Sequence, residues 1–434
     1  MLSVQPAWRV ARLLLLTLTG LPAPSALAQS AGPQPMLDSL TALLFQGGGD
    51  VLSRRARLAA AEAEIAAAAP RDPAALRVEI ENVPDGIAVD QSQVFAGIEA
   101  PLLRGPAPRA ARSAAERGRD LAALELQLAE QRAGARLRRG IATWAAAAAS
   151  DQRLADADLI LVDAEESLRS RFAVGDARYV DVLRIRTARV NLGTDRSLLQ
   201  ATAATALEEV LGLFVSDSGR SSARELIGRA SPPDVLAFLA KATSGPDSSL
   251  VDSWQAALGS RADAAVALSR ARRGTTLQGF LGVQRFVDAA GTLVVGPAAG
   301  ISLPLTFTAA GSTRSLVAEA EAQRAAVLAE AAGRRASLSA LVRQAAIRRD
   351  AALGRVATID GALLSGAQAE RDAALAIYRT GELSLVEFID FERALMQADI
   401  SRIEALREAA DAAAAINQLP ADELLTLDAA AGGR

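Results

Sequence analysis

The stretch Ile377-Tyr378-Arg379-Thr380-Gly381-Glu382-Leu383-Ser384-Leu385-Val386-Glu387-Phe388-Ile389-Asp390-Phe391 decides the fold, because the chain writes it twice. The earlier copy is Arg171-Phe172-Ala173-Val174-Gly175-Asp176-Ala177-Arg178-Tyr179-Val180-Asp181-Val182-Leu183, at a constant offset of 206 that carries Phe172 to Tyr378 and Gly175 to Gly381. Asp176/Glu382, Val180/Val386, Asp181/Glu387, Val182/Phe388 and Leu183/Ile389 keep their chemical class in the same register. Long helical pattern flanks each copy. The glycine therefore reads as the left-handed residue that ends one helix, and the acid after it as the negative charge that opens the next. Each copy is the tip of a helical hairpin, and the repetition makes the chain an internal duplication.

Upstream of the first tip, Pro101, Pro106 and Pro108 are followed by no proline from Arg109 to Ser231. An unbroken helix from Arg109 to Phe172 would reach about 100 Å, with Gly118, Gly134 and Gly140 as places for a bend. Proline is missing again from Leu305 to Leu419. Before each of these spans the hydrophobic period changes from helical to alternating. Leu76, Val78 and Ile80 alternate with Arg77, Glu79 and Glu81, the turn signal Val83-Pro84-Asp85-Gly86 follows, and Val94, Ala96, Ile98 and Ala100 continue. That predicts a β-hairpin over 76–102 with an apolar and a polar face. Strand-like Thr276 to Phe286, a turn at Asp288 to Gly291 and a return from Leu293 to Phe307 predict its counterpart over 276–307.

The two halves are 29–230, with its tip at 172–179, and 231–434, with its tip at 378–385. Each reads helix, β-hairpin, long helix, turn, long helix. Residues 29 onward give a short polar leader, the Gly47-Gly48-Gly49 connector and a helix from about Val51, while the Ser-, Gly- and Pro-containing 216–250 marks the join. Residues 1–28 carry Arg9 and Arg12, the run Leu13-Leu14-Leu15-Leu16, and Ala26-Leu27-Ala28, which predicts a secretory signal peptide. No later stretch holds the eighteen or so uninterrupted apolar residues of a spanning helix, so a membrane would have to be crossed by strands. Four strands cannot close a barrel, and three chains would bring twelve.

Composition narrows the function classes. Of 434 residues half are apolar but only 3% aromatic, which suits long helices packed at close range. The net charge of −3 offers no basic face for nucleic acid. With no cysteine and no histidine, no zinc finger, thiol nucleophile, Ser-His triad or histidine metal site can be built. No catalytic residues, cofactor or resident metal are expected.

These residues resemble the TolC-type outer membrane efflux proteins, the exit ducts of bacterial tripartite pumps, and the doubled aromatic-x-x-Gly tip carries most of the resemblance. Leu76-Arg77-Val78-Glu79-Ile80-Glu81-Asn82 and Pro101-Leu102-Leu103-Arg104-Gly105 look closest to the CzcC-like branch, which serves heavy-metal cation pumps. The resemblance implies a mainly α fold, a long α-helical coiled-coil barrel in the periplasm joined to an outer membrane β-barrel made by a homotrimer. It implies a periplasmic adaptor (membrane fusion protein) and a proton-driven inner-membrane pump of the resistance-nodulation-division type as partners, with outer membrane lipid around the strands. Adaptor contact would fall on Val174, Gly175, Asp176, Thr380, Gly381 and Glu382, where Thr380 stands in place of the family's valine. Glu387 and Asp390 match acids that ring the periplasmic entrance. Leu383 occupies the place of a latching basic residue, so the closed state would be held around Tyr378 and the helix carrying Asp181. Two other readings are a periplasmic coiled-coil adaptor or scaffold, which would have one hairpin flanked by β-rich domains, and a channel of a type I secretion or drug efflux system.

Overall fold

The structure is a computed structural model that describes residues 32–68, 74–81, 93–103, 105–175, 177–242, 248–272, 277–287, 292–302, 310–380 and 382–431. The expected signal peptide, the turns at 83–86 and 288–291, Pro304 and Leu305, and tip residues Asp176 and Gly381 lie outside them.

Helix α1 (Pro33–Gly47) starts with proline in its first turn, where the missing N–H is harmless, and buries Met36, Leu37, Leu40 and Leu44 on one face. The expected polar leader is thus a core helix. Its stripe is too short to stand out in the sequence, and tertiary burial rather than intrinsic helicity supports it. The glycine triplet then lets the backbone of Gly48 bridge to Phe214 before α2 (Gly49–Ala67) begins.

Strands β1 (Ala75–Glu81) and β2 (Gln93–Leu103) lead into α3 (Ala107–Ala173), 67 residues without a break. None of Gly118, Gly134 and Gly140 bends it out of helix. At Gly140 the reason for glycine is contact, since a Cβ there would lie 2.5 Å from Cγ2 of Val210 on α4 (Tyr179–Leu211). The region expected as a plain join holds two helices, α5 (Asp217–Gly228) and α6 (Pro232–Lys241), opened by the Ser216 cap and by proline at the first turn. Turn-forming residues at their starts were legible; that Ile227, Val235, Leu236 and Leu239 enter the core was not.

Helix α7 (Ser248–Ala271), strands β3 (Leu277–Val287) and β4 (Leu293–Ser302), and α8 (Ala310–Thr358) follow. A π-turn at Ile359–Leu363 separates α8 from α9 (Leu364–Thr380), and α10 (Leu385–Ala431) runs on through Pro420. Three apolar clusters follow one another along α3. One at Leu121–Ala129 meets Trp254 and the end of α10, the middle one at Ala133–Ala146 meets α1, α5 and α6, and the last at Leu154–Leu168 joins both tips. Alanine supplies most of the buried face of α3 and α10, which allows close axial approach.

The four strands form one antiparallel sheet in the order β1-β2-β3-β4, so the two hairpins meet through β2 and β3. One row across it is Leu76, Ile98, Leu281, Ala299; the neighbouring row, on the opposite face, is Arg77, Gly97, Gly282, Ala298. The first face exposes Leu76, Val78, Ile80, Ile98, Leu281, Val283, Val295 and Ile301. Its one charged member, Arg285, sits near the end of β3, where a long side chain can reach out of an apolar layer. Among the described residues the outer edges of β1 and β4 have no partner strand, and no helix is long and apolar enough to cross a membrane.

Candidate functional site

At the first tip α3 ends at Ala173, and Gly175 takes φ 83° while its N–H donates to the carbonyl of Phe172 at 3.0 Å. An alanine there would meet no neighbour but would be strained by about 1 kcal/mol through its backbone alone. Val174 is 80% exposed at the end of the turn. At the second tip α9 ends at Thr380, whose hydroxyl donates to Ile377, and Glu382 is exposed with its N–H on the Ile377 carbonyl at 3.3 Å. An aromatic pair braces each turn: Phe172 with Tyr179, and Tyr378 stacked on Phe388, both with centroids 5.5 Å apart.

The sequence assigned helix opening to the acid after the glycine. In the structure the second acid of the motif takes that place, because α4 and α10 begin only at Tyr179 and Leu385. Before α10 a capping box forms. The Glu387 carboxylate accepts from the N–H of Ser384 at 2.9 Å and from its hydroxyl at 2.7 Å, while the Glu387 N–H donates to Ser384 Oγ at 3.3 Å. The Ser384 hydroxyl, then its N–H, hold the Glu387 carboxyl below its ordinary value. The matching pair before α4 is Arg178 and Asp181, where the guanidinium donates to a buried carboxylate at 3.1 Å. The signal for Ser384 was in the sequence, as a serine three residues before a glutamate ahead of an apolar run.

Ser384→Ala is expected to cost about 1 kcal/mol of local stability at the start of α10 at neutral pH. Because the Glu387 pKa is depressed on folding, its contribution is complete above the unfolded carboxylate pKa and is lost as pH falls through the folded value. Amide-exchange protection at Val386 to Phe388 should therefore differ between wild type and variant near neutrality and converge in acid. Equal protection at neutral pH would show that the box contributes nothing.

The two tips enclose a cleft of about 700 Å³ whose wall includes Asp181, Tyr378, Glu382 and Glu387, together with Arg178 and Arg184. Asp390 opens instead onto an adjoining groove of about 510 Å³ with Val180, Leu183, Ile389 and Arg393. It is exposed, and its carboxylate lies 3.6 Å from Arg393. The structure thus brings Asp181, Tyr378, Glu382 and Glu387 together, sets Asp390 one turn away, and leaves Val174 and Thr380 off the cleft wall. Arg171, Arg178 and Arg184, to which the sequence reading gave no site role, supply its cations.

No protein-family model matches the chain, and no curated protein matches it. Among solved structures, VceC of Vibrio cholerae, an outer membrane protein, is 15% identical with a TM-score of 0.64, covering 89% of this chain and 96% of VceC. The CmeC outer membrane channel of Campylobacter jejuni is 12% identical at TM-score 0.65, with 89% and 86% covered. CusC, whose structures concern transmembrane channel formation, is 14% identical at 0.63, with 92% and 96% covered. The fold is that of outer membrane channels.

Within this channel fold the helix-to-helix ion pair nearest each tip is anchored on an almost buried glutamate, and these two pairs have opposite polarity. In the first hairpin Glu165 of α3, almost buried, accepts from Arg189 of α4 at 2.8 Å, and Arg189 also reaches Asp158 at 3.1 Å. In the second, Arg371 of α9 donates to the almost buried Glu392 of α10 at 2.6 Å. Glu165 and Arg371 occupy the same repeat position. The hydrogen bonds to Glu165 and Asp158 hold Arg189 above its ordinary value, and those to Glu392 and Asp372 do the same for Arg371. Arg153 of α3 and Asp399 of α10, 2.6 Å apart, tie one hairpin to the other.

Proposed function

We propose that this chain is the outer membrane exit duct of a tripartite efflux pump, a passive conduit working as a homotrimer. The observation that carries this reading is the sheet: among the described residues it has four strands, one face of exposed aliphatic side chains, and two outer edges without partners. In lipid such edges leave backbone groups unsatisfied, and three copies joined edge to edge satisfy all of them in twelve strands. The half-repeats 29–230 and 231–434 then each contribute one hairpin to the barrel and one helical hairpin to a periplasmic tunnel. The tips at Val174, Gly175 and Asp176, and at Thr380, Gly381 and Glu382, are the adaptor-docking ends, and the pump is a proton-driven one of the resistance-nodulation-division type.

The cargo we assign is divalent heavy-metal cations. On the polar face of the sheet Arg77 is set against Glu79 and Glu99, a net negative cluster along the passage. At the other end, Glu387 and Asp390 from three copies form an acidic entrance, which attracts cations as acidic rings do in other pores.

Two measurements test the reading. The chain has no cysteine, so one cysteine on β1 and one on β4 should crosslink neighbouring copies into a trimer in outer membrane fractions; a protein that stays monomeric, without crosslinks along both edges, sinks the duct. In single-channel recordings Glu387→Ala/Asp390→Ala should lower cation preference and weaken block by multivalent cations, while Ser384→Ala, which loses the cap but not the charges, should not. Wild-type selectivity and block in the double variant would show these acids to be ordinary surface groups.

A further inference from the structure

Among the described side chains, the polar face of the sheet carries two aromatic rings in a largely charged, polar and glycine-rich setting. Phe95 pairs across the sheet with Gln284, Gly97 with Gly282, and Glu99 with Phe280, so the two phenylalanines flank one glycine pair diagonally. Their rings meet edge to face with centroids 5.2 Å apart, and the Arg77 guanidinium lies 5.2 Å from the Phe280 centroid. Large side chains on a sheet ordinarily stand away from it. Here they lie down.

The glycines make this possible. A Cβ at Gly300 would fall 2.2 Å from Cζ of Phe280, and one at Gly97 would fall 2.6 Å from Cζ of Phe95. A Cβ at Gly282 would collide with backbone, 2.4 Å from the Ala96 carbonyl oxygen. None of these glycines has a positive φ among the described residues, where only Gly175 does, so backbone conformation does not demand them. At Gly300 the space under the Phe280 ring does, at Gly97 both the Phe95 ring and the β3 backbone do, and at Gly282 the close approach of the β2 backbone does. Without the space under it, a ring would have to turn upright about its side-chain torsion and project from the wall.

We infer that Gly97 and Gly300 form a recess that seats Phe95 and Phe280 flat against the barrel wall, and that this seating sets the width of the passage at that level. The inference rests on reading the polar face as the lumen. In a trimer six rings would share one level, each on its glycine seat, with Arg77 held over Phe280 by Glu79 and Glu99. An upright ring at each position would narrow the passage from all sides together.

The experiment compares single-channel conductance of purified trimers carrying Gly300→Ala, Phe280→Ala or both. Gly300→Ala should conduct less than wild type, and the double variant should recover to the level of Phe280→Ala, because the added methyl then has no ring to lift. Wild-type conductance in Gly300→Ala, or a double variant no better than Gly300→Ala, overturns the inference. Should Gly300→Ala yield no trimer, Phe280→Ala decides by itself: conductance above wild type supports the seat, and unchanged conductance refutes it. Ser302→Cys, on the same face, separates the two layers of the argument. Block by a membrane-impermeant thiol reagent establishes the lumen whatever the glycine variants do, whereas no modification in an open trimer removes both the lumen reading and the recess.

Discussion

Val78→Arg is expected to abolish the assembled trimer in the outer membrane, while Glu79→Arg, one residue along, leaves it in place. Val78 is 60% exposed between Leu76 and Ile80, and its row continues through Ala96, Val283 and Pro297 without a polar group. An arginine on a lipid face costs about 2–4 kcal/mol near the bilayer midplane, and the trimer would bear that cost three times. Glu79 lies on the polar face, bonded to Arg77, and in its absence Arg77 still has Glu99 at 3.8 Å. Heat-modifiable trimer on a semi-native gel of outer membrane fractions reads the result. Equal tolerance of both substitutions would mean that the exposed aliphatic face does not meet lipid.

Arg371→Ala is expected to destabilise the helical part by about 3 kcal/mol, the lower end of the range for stranding a buried charge. The size follows from Glu392, only 8% exposed, which would lose the guanidinium 2.6 Å away. Arg371 itself is about one-third exposed, so some water replaces it. Removing both charges with Arg371→Leu/Glu392→Leu should recover most of the loss, because no buried charge is then left without a partner. Thermal melting followed by helical circular dichroism checks this. A single-variant loss under about 1 kcal/mol would place the pair among ordinary surface salt bridges.

Much of the architecture was legible because it depends on local rules. The alternation of Leu76, Val78 and Ile80 with charged residues can be satisfied only by a strand with two unlike faces, and β1 spans Ala75–Glu81. The proline-free span after Pro108 gave a helix that reaches Ala173, and the glycine of the first tip has the positive φ its position required. Helices α1, α5 and α6 were not legible, because short amphipathic segments owe their helicity to the core they enter.

By itself the sequence determined the doubled tip, the change from alternating to helical period, and the length of the helices, since each follows from backbone sterics and side-chain spacing within one segment. Only the tertiary structure decided which side chains meet. It placed Ser384 rather than Glu382 at the start of α10, put Asp181 and Glu387 on one cleft with Asp390 outside it, reversed the polarity of the buried pair between Glu165 and Arg371, and laid Phe95 and Phe280 over glycines of their own and neighbouring strands. Those contacts join residues up to some two hundred positions apart. They depend on the relative rotation and register of packed elements, which no spacing within a single segment encodes.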